Sequence, residues 1–268
     1  MFESIKKKFT FNECKDTFKK TIIQGNIQIF VSGNIQKNDV VRMSDKLYSY
    51  LNIKINTEKI HGNLNNIISP YIQKYKNKNK DEKNNIFSLI YKFTILENGK
   101  NNWNIYIAFA SILESITNSL YFNILRTKEQ IGYIVSTSLT KIGDNNYKLY
   151  GIKLMIQSYI KNSEYMYNRT IKFVNNELKN EIDNLKLEDF NDYKYGELSI
   201  LKDNFSNIYD MNYYLSVNIF DGSYMYDYRE IMINTFNNFT FETFKEMFYK
   251  YMIQKPEIYS VSLDSQLK

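Results

Sequence analysis

Cleaving a peptide, ester or phosphate bond needs a nucleophile, a base and something to hold developing negative charge. Side chains able to supply these are sparse here: one histidine, His61, and one cysteine, Cys14, in 268 residues. A catalytic zinc takes at least three protein ligands, often two of them imidazoles, and the two-histidine helix motifs cannot be written with one His. Glu58 and His61 have the spacing of a Glu-x-x-His ligand pair, but the di-metal bundles that use it need two copies and extra carboxylates. His61 therefore reads as a surface residue, and no metal site is assigned to this chain. Cys14 with His61 is the one available cysteine–histidine pair, without a nucleophile elbow or peptidase signature around it. A structural Cys on an amphipathic helix is the expectation. No Gly-rich phosphate loop is present, which disfavours nucleotide chemistry. The expectation is a chain with no catalytic residue and no cofactor of its own.

One run does combine polar donors with a dense apolar frame: Phe122-Asn123-Ile124-Leu125-Arg126-Thr127-Lys128-Glu129-Gln130-Ile131-Gly132-Tyr133-Ile134-Val135. Leu125, Ile131, Ile134 and Val135 suit a core, Gly132 a helix-to-strand bend, and Lys128 with Glu129 a solvated pair. Arg126 and Tyr133 carry the chemistry. A guanidinium and a phenol can donate hydrogen bonds to a carbonyl oxygen that becomes negative during attack; a structural Arg and a packed Tyr are the alternative.

The elements that would position this run follow from periodicity. Thr10-Phe11-Asn12-Glu13 has the spacing of a capping box, and Phe18, Ile22 and Ile23 continue an apolar stripe towards Gly25. Ile27, Ile29 and Val31 alternate as a strand, and from Asn38 the spacing of Val40, Met43, Leu47 and Leu51 is helical. Around Pro70 and the lysine run Lys74, Lys76, Lys78, Lys80 and Lys83 no period is sustained, so a linker is expected at 73–85. Phe87, Leu89, Tyr91, Phe93 and Ile95 then alternate as a core strand. A buried helix is expected over 103–116, a second short one over 119–130, and a hairpin from 131–135 to 147–158 around the turn at 143–146. Helices over 164–185, 187–203, 207–220, 226–236 and 240–252, and a strand at 258–263, complete an α+β fold of helices packed over a mostly antiparallel sheet.

Composition narrows the partners. Hydrophobic residues at 43% support a real core, and only 9 Gly and 2 Pro disfavour a turn-dense sandwich or propeller. The net charge of +6 would raise the prior for a nucleic-acid partner, but much of it sits in the Lys/Asn run, which reads as a solvated segment. No nucleic-acid and no membrane partner is expected. The lysine-bearing start has no apolar stretch behind it, and one cysteine suits a reducing compartment, so a cytoplasmic location is expected.

The 122–135 run resembles the Leu-Arg-x-Lys-Glu-Gln-Leu-Gly-Tyr segment in the C-terminal domain of the insulinase/pitrilysin family of zinc metalloendopeptidases. Gly33-Asn34-Ile35 resembles the family's Gly-Asn-Ile segment near the end of its third domain. The resemblance spans nearly the whole chain and implies insulinase-like domains: 1–72 as the end of the third, 73–85 as the linker and 86–268 as the fourth, C-terminal one. Family members clasp peptide between two halves, with zinc held by His-x-x-Glu-His in the first domain, a motif absent from this sequence. The resemblance thus implies a non-catalytic part that encloses peptide substrate for a zinc-bearing catalytic half, its partner; a catalytically dead homologue acting as peptide-binding scaffold or assembly subunit is the alternative. It further implies that Arg126 and Tyr133 face the chamber and reach the substrate.

Overall fold

The capping box at Thr10 forms as expected: the Thr10 amide donates to Glu13 Oε2 at 2.8 Å, and Thr10 Oγ1 accepts from the Glu13 amide at 3.3 Å. Two otherwise unpaired helix-end groups are satisfied reciprocally, and α1 (Phe11–Ile22) starts there. The computed structural model describes residues 10–22, 24–25, 29–51, 54–55, 69–97, 102–143, 147–220 and 225–266. Its contacts group into two compact units, 1–61 with 205–217, and 62–204 with 218–268.

In the smaller unit, α1 is followed by β1 (Gln24–Gly25), α2 (Lys37–Leu51) and β2 (Lys54–Ile55). The two short strands pair in parallel, Gln24 opposite Lys54 and Gly25 opposite Ile55. Of the strand expected at Ile27 to Val31, Ile27 lies outside the described residues and Ile29 to Val31 are not strand. His61 and Glu58 also lie outside them. The apolar stripes of α1 and α2 have the expected helical spacing, yet they are uncovered: Phe11 is 80% exposed and Tyr50 79%, with Phe18, Met43 and Leu47 also exposed.

In the larger unit, β3 (Tyr71–Lys76), β4 (Asn85–Glu97), β5 (Ile134–Gly143), β6 (Tyr147–Ser158) and β7 (Glu257–Asp264) form one sheet in the order β3-β7-β4-β6-β5. Only the β3–β7 pairing is parallel. The four residues 73–76, expected in a linker, are therefore strand. They carry no sustained apolar period, but β7 offers a partner, and lysine is well tolerated on an edge strand. Residues 77–84 connect β3 to β4 through side-chain turns, with Asn77 Oδ1 accepting from the Asn79 amide at 3.0 Å and Asn79 Oδ1 from the Asp81 amide at 3.1 Å. Limited trypsin digestion should cut after Lys78, Lys80 or Lys83 well before Lys74 or Lys76, because only the latter two require a strand to open. Mass spectrometry of the earliest fragments checks this; first cuts inside β3 would mean that the edge strand is not held.

The core lies between one sheet face and the helices. Phe87, Leu89, Tyr91 and Phe93 of β4, and Ile152, Leu154 and Ile156 of β6, point into it and are buried. Full burial of one such side chain is worth roughly 1.5–3 kcal/mol. Across them runs α3 (Trp103–Tyr121), whose Ile107, Phe109, Leu113 and Ile116 are buried. The sequence suggested a break before 119. No Gly or Pro interrupts the chain there, and α3 instead continues without a gap into a π-wound segment, Phe122–Lys128. The next helix is built likewise, from α4 (Ser163–Lys172) through π-wound Phe173–Leu178 to α5 (Lys179–Asn184). Then follow α6 (Leu187–Lys202), α7 (Ile208–Phe220), which over 208–217 belongs to the smaller unit, α8 (Tyr228–Asn238) and α9 (Phe241–Phe248), the last running on in π form over Tyr249–Gln254. Thr240 Oγ1 caps α9 by accepting from the Thr243 amide at 3.1 Å. The α+β reading, with a mostly antiparallel sheet under helices, holds.

Candidate functional site

Arg126 ends up beside Tyr133 because α3 and β5 are tied along their length. Glu114 Oε2 accepts from the Leu139 amide at 2.8 Å and Asn118 Oδ1 from the Thr137 amide at 3.3 Å. These bonds use amides of the sheet's edge strand that would otherwise need water or another strand. Further along, Arg126 Nε donates to the Tyr133 carbonyl at 3.0 Å, and the guanidinium carbon lies 5.6 Å from the centre of the Tyr133 ring. Helix and strand thus bring together the two residues that the sequence singled out. Tyr133 is 72% exposed, so it is not a packed core tyrosine. Among the described residues the Nη groups of Arg126 and the Tyr133 hydroxyl make no hydrogen bond, which leaves them available to a ligand.

The turn between these residues is fixed from several directions. The Glu129 amide donates to the Ile124 carbonyl at 2.9 Å, the Ile131 amide to the Leu125 carbonyl at 2.9 Å, and the Tyr133 amide to the Gln157 carbonyl at 2.9 Å. From below, the buried Ser158 Oγ donates to the Ile131 carbonyl at 2.6 Å and accepts from the Lys161 amide at 2.9 Å. Leu125, Ile131 and Val135 are buried as expected, and Ile134 is half-buried. The strand starts at Ile134 instead of Ile131, because Gln130 sits in the left-handed region, at φ 52°, and turns the chain first. Gly132 is needed for a different reason than its φ. A Cβ there would stand 2.4 Å from the Gln157 carbonyl oxygen.

Glu129 does not form the solvated pair with Lys128 that the sequence suggested. Its carboxylate takes a two-pronged bond from Arg169 of α4, at 2.9 Å from Nε and 2.6 Å from Nη2, and the same Nη2 reaches Glu177 Oε1 at 2.6 Å. Glu129 first, then Glu177, hold the guanidinium's pKa above its ordinary value. Sequence reasoning missed Arg169 and Glu177. The available signal was position: Arg169 lies on the inward stripe, three residues after Met166 and four before Phe173, both fully buried.

The chain has a single histidine, and among the described residues no three His, Cys, Asp or Glu side chains converge. Cys14 is free and exposed.

Comparison with known proteins places this geometry. Residues 8–196 match the family model described as the peptidase M16 inactive domain. A Schizosaccharomyces pombe protein named "Putative zinc protease mug138" is 23% identical over 245 residues, which is 90% of this chain and 24% of that protein. Among solved structures, pitrilysin superposes with a TM-score of 0.67 at 15% identity, over 88% of this chain and 24% of pitrilysin. The peptidase M16 inactive domain from Pseudomonas fluorescens superposes with a TM-score of 0.56 at 15% identity, over 97% of this chain and 58% of that one. At such identities the superpositions speak for the fold. The chain spans about a quarter of the length of the yeast protein and of pitrilysin.

Proposed function

The chain belongs to the peptidase M16 family, as an inactive C-terminal domain of the insulinase/pitrilysin type, and from that premise we propose that it holds peptide for a zinc-bearing half of the same family. That half sits either on the same polypeptide or on a separate one. The observation that carries the reading is the Arg126–Tyr133 pair: two hydrogen-bond donors on a fixed turn, side by side, with the phenol exposed. An exposed tyrosine whose ring lies beside a guanidinium and whose hydroxyl has no partner among the described residues is placed at low entropic cost to meet a ligand. Arg126 Nη groups and the Tyr133 hydroxyl would donate to a peptide carbonyl. As that carbon is attacked its oxygen gains negative charge, and bonds to a charged donor strengthen.

A partner is further supported by the smaller unit. None of its described side chains is buried, and Phe11, Phe18, Met43, Tyr50, Tyr209 and Tyr213 are each exposed. Large apolar side chains exposed in this number support a partner that covers them. Zinc belongs to the proposed partner half, and the free cysteine suits a cytoplasmic, reducing setting.

By itself the chain should bind no stoichiometric zinc and cleave no peptide, since one histidine cannot assemble the usual ligands. Metal analysis and digestion of fluorescein-labelled casein check this, and chelator-sensitive cleavage surviving removal of contaminating peptidases would refute it. Tagged chain purified from its native source should bring down, or itself carry, a His-x-x-Glu-His segment. An unrelated complex in its place would favour a catalytically dead scaffold.

A further inference from the structure

We propose that Arg169 is a positioning residue: through Glu129 it clamps the foot of the turn that carries Arg126 and Tyr133. The inference rests on reading those two as peptide-binding groups. Its geometry is independent of that reading.

Arg169 sits on α4, 40 residues from Glu129, and its side chain is 10% exposed. It faces two carboxylates. The fork to Glu129 fixes both position and plane, because Nε and Nη2 engage the two oxygens together. Glu177 then holds Nη2 from the other side. Drawing the guanidinium nearly out of water, between carboxylates that stay 33% and 28% exposed, incurs a desolvation cost for the arginine, and an apolar side chain of the same volume would often be as stable there. Arg169 Nη1 and Glu177 Oε2 are buried and find no partner among the described residues, so the cluster is not arranged for maximum stability. What it supplies is direction. Glu129 follows immediately on the π-wound segment, its own amide is bonded to the Ile124 carbonyl, and four residues later the chain reaches Tyr133. Core packing holds Leu125 and Ile131 in depth, but apolar contact does not set the rotation of the turn. A bond to a planar guanidinium adds a directional hold at Glu129 to the backbone bonds of the turn.

Hydrogen exchange of the full chain reads this without any ligand, at the amides of Glu129, Ile131 and Tyr133. Glu129→Gln and Arg169→Gln should each speed exchange there by about tenfold, the strength expected of a charge-assisted bond. The double variant should be no faster than either single one. Arg169→Lys keeps the charge without the fork, and exchange should stay fast. Glu177→Gln should change the turn far less, which separates the clamp from a general loss of stability. Equal loosening by Glu177→Gln, or no loosening by Glu129→Gln, would overturn the proposal. Binding of fluorescein-labelled casein fragments, followed by anisotropy, gives the second arm. Glu129→Gln and Arg169→Gln should weaken it in parallel with Arg126→Ala; an effect of Arg126→Ala alone would also overturn the clamp's positioning role. If Arg126→Ala and Tyr133→Phe leave casein binding unchanged while the turn amides respond, the peptide-binding reading falls and the clamp stands.

Discussion

Tyr133→Phe should lower the turnover of a complex between this chain and a zinc-bearing half by about a hundredfold, and leave the chain's thermal stability where it was. The first figure is the usual cost of losing one donor to a carbonyl oxygen that becomes negative in the transition state. The second follows from the structure: Tyr133 is 72% exposed, and among the described residues only its amide and carbonyl are hydrogen-bonded. Surface changes of that kind stay within about 0.5 kcal/mol. Arg126 makes a less clean test, because its Nε also holds the Tyr133 carbonyl. Arg126→Lys keeps the charge, loses the planar fork and loosens the turn, so stability and rate should fall together. Single-turnover rates and melting curves on both variants decide the matter. A normal rate in Tyr133→Phe would remove the phenol from the chemistry and leave it a surface residue.

The parts of this fold that could be read from the sequence are those where one period and one environment coincide. β4 is buried on one face along its length, so Phe87, Leu89, Tyr91 and Phe93 alternate cleanly. The helices after residue 163 were legible for the same reason, at the other period. β3 was not, because what makes it a strand is the parallel ladder to β7, with Tyr71 opposite Tyr259, and local pattern cannot announce a partner that distant. The run of α3 into the π-wound segment was missed because a change in hydrogen-bond register needs no Gly or Pro to mark it. Within the site, Arg126 and Tyr133 were visible as residue types in a family-like run, and the structure brings them into contact. Glu129 was misread for a physical reason. Its neighbour in sequence is a lysine, but its neighbour in space is Arg169, and a two-pronged bond from a guanidinium that is itself only 10% exposed prevails over a solvated pair that gains little. The uncovered stripes of α1 and α2 teach the converse: the pattern foretold the helices and the need for a cover, and could not say what supplies it.

Gly132→Ala is expected to be the most damaging single methyl in the site. The added carbon would lie 2.4 Å from the Gln157 carbonyl oxygen and 2.9 Å from Ile156 Cγ2. The oxygen is backbone, belongs to β6, and already accepts from the Tyr133 amide, so it cannot move without opening the β5–β6 ladder at its first rung. Ile156 is fully buried and has no free direction either. Overpacking of this sort typically costs 1–3 kcal/mol, and in a domain of this size each kcal/mol lowers Tm by roughly 2–4 °C. The same methyl at Gly196, in α6, meets nothing within 4 Å. There it should raise Tm slightly, because alanine favours a helix over glycine by about 1 kcal/mol. The pair makes the test specific, since both variants add one carbon and differ only in what that carbon meets. Differential scanning calorimetry on the two, with exchange at the Tyr133 amide as a local probe, should show Gly132→Ala melting lower and that amide exposed. Equal melting temperatures would mean that the turn is loose enough to absorb a methyl, and the fixed geometry argued for Arg126 and Tyr133 would fall with it.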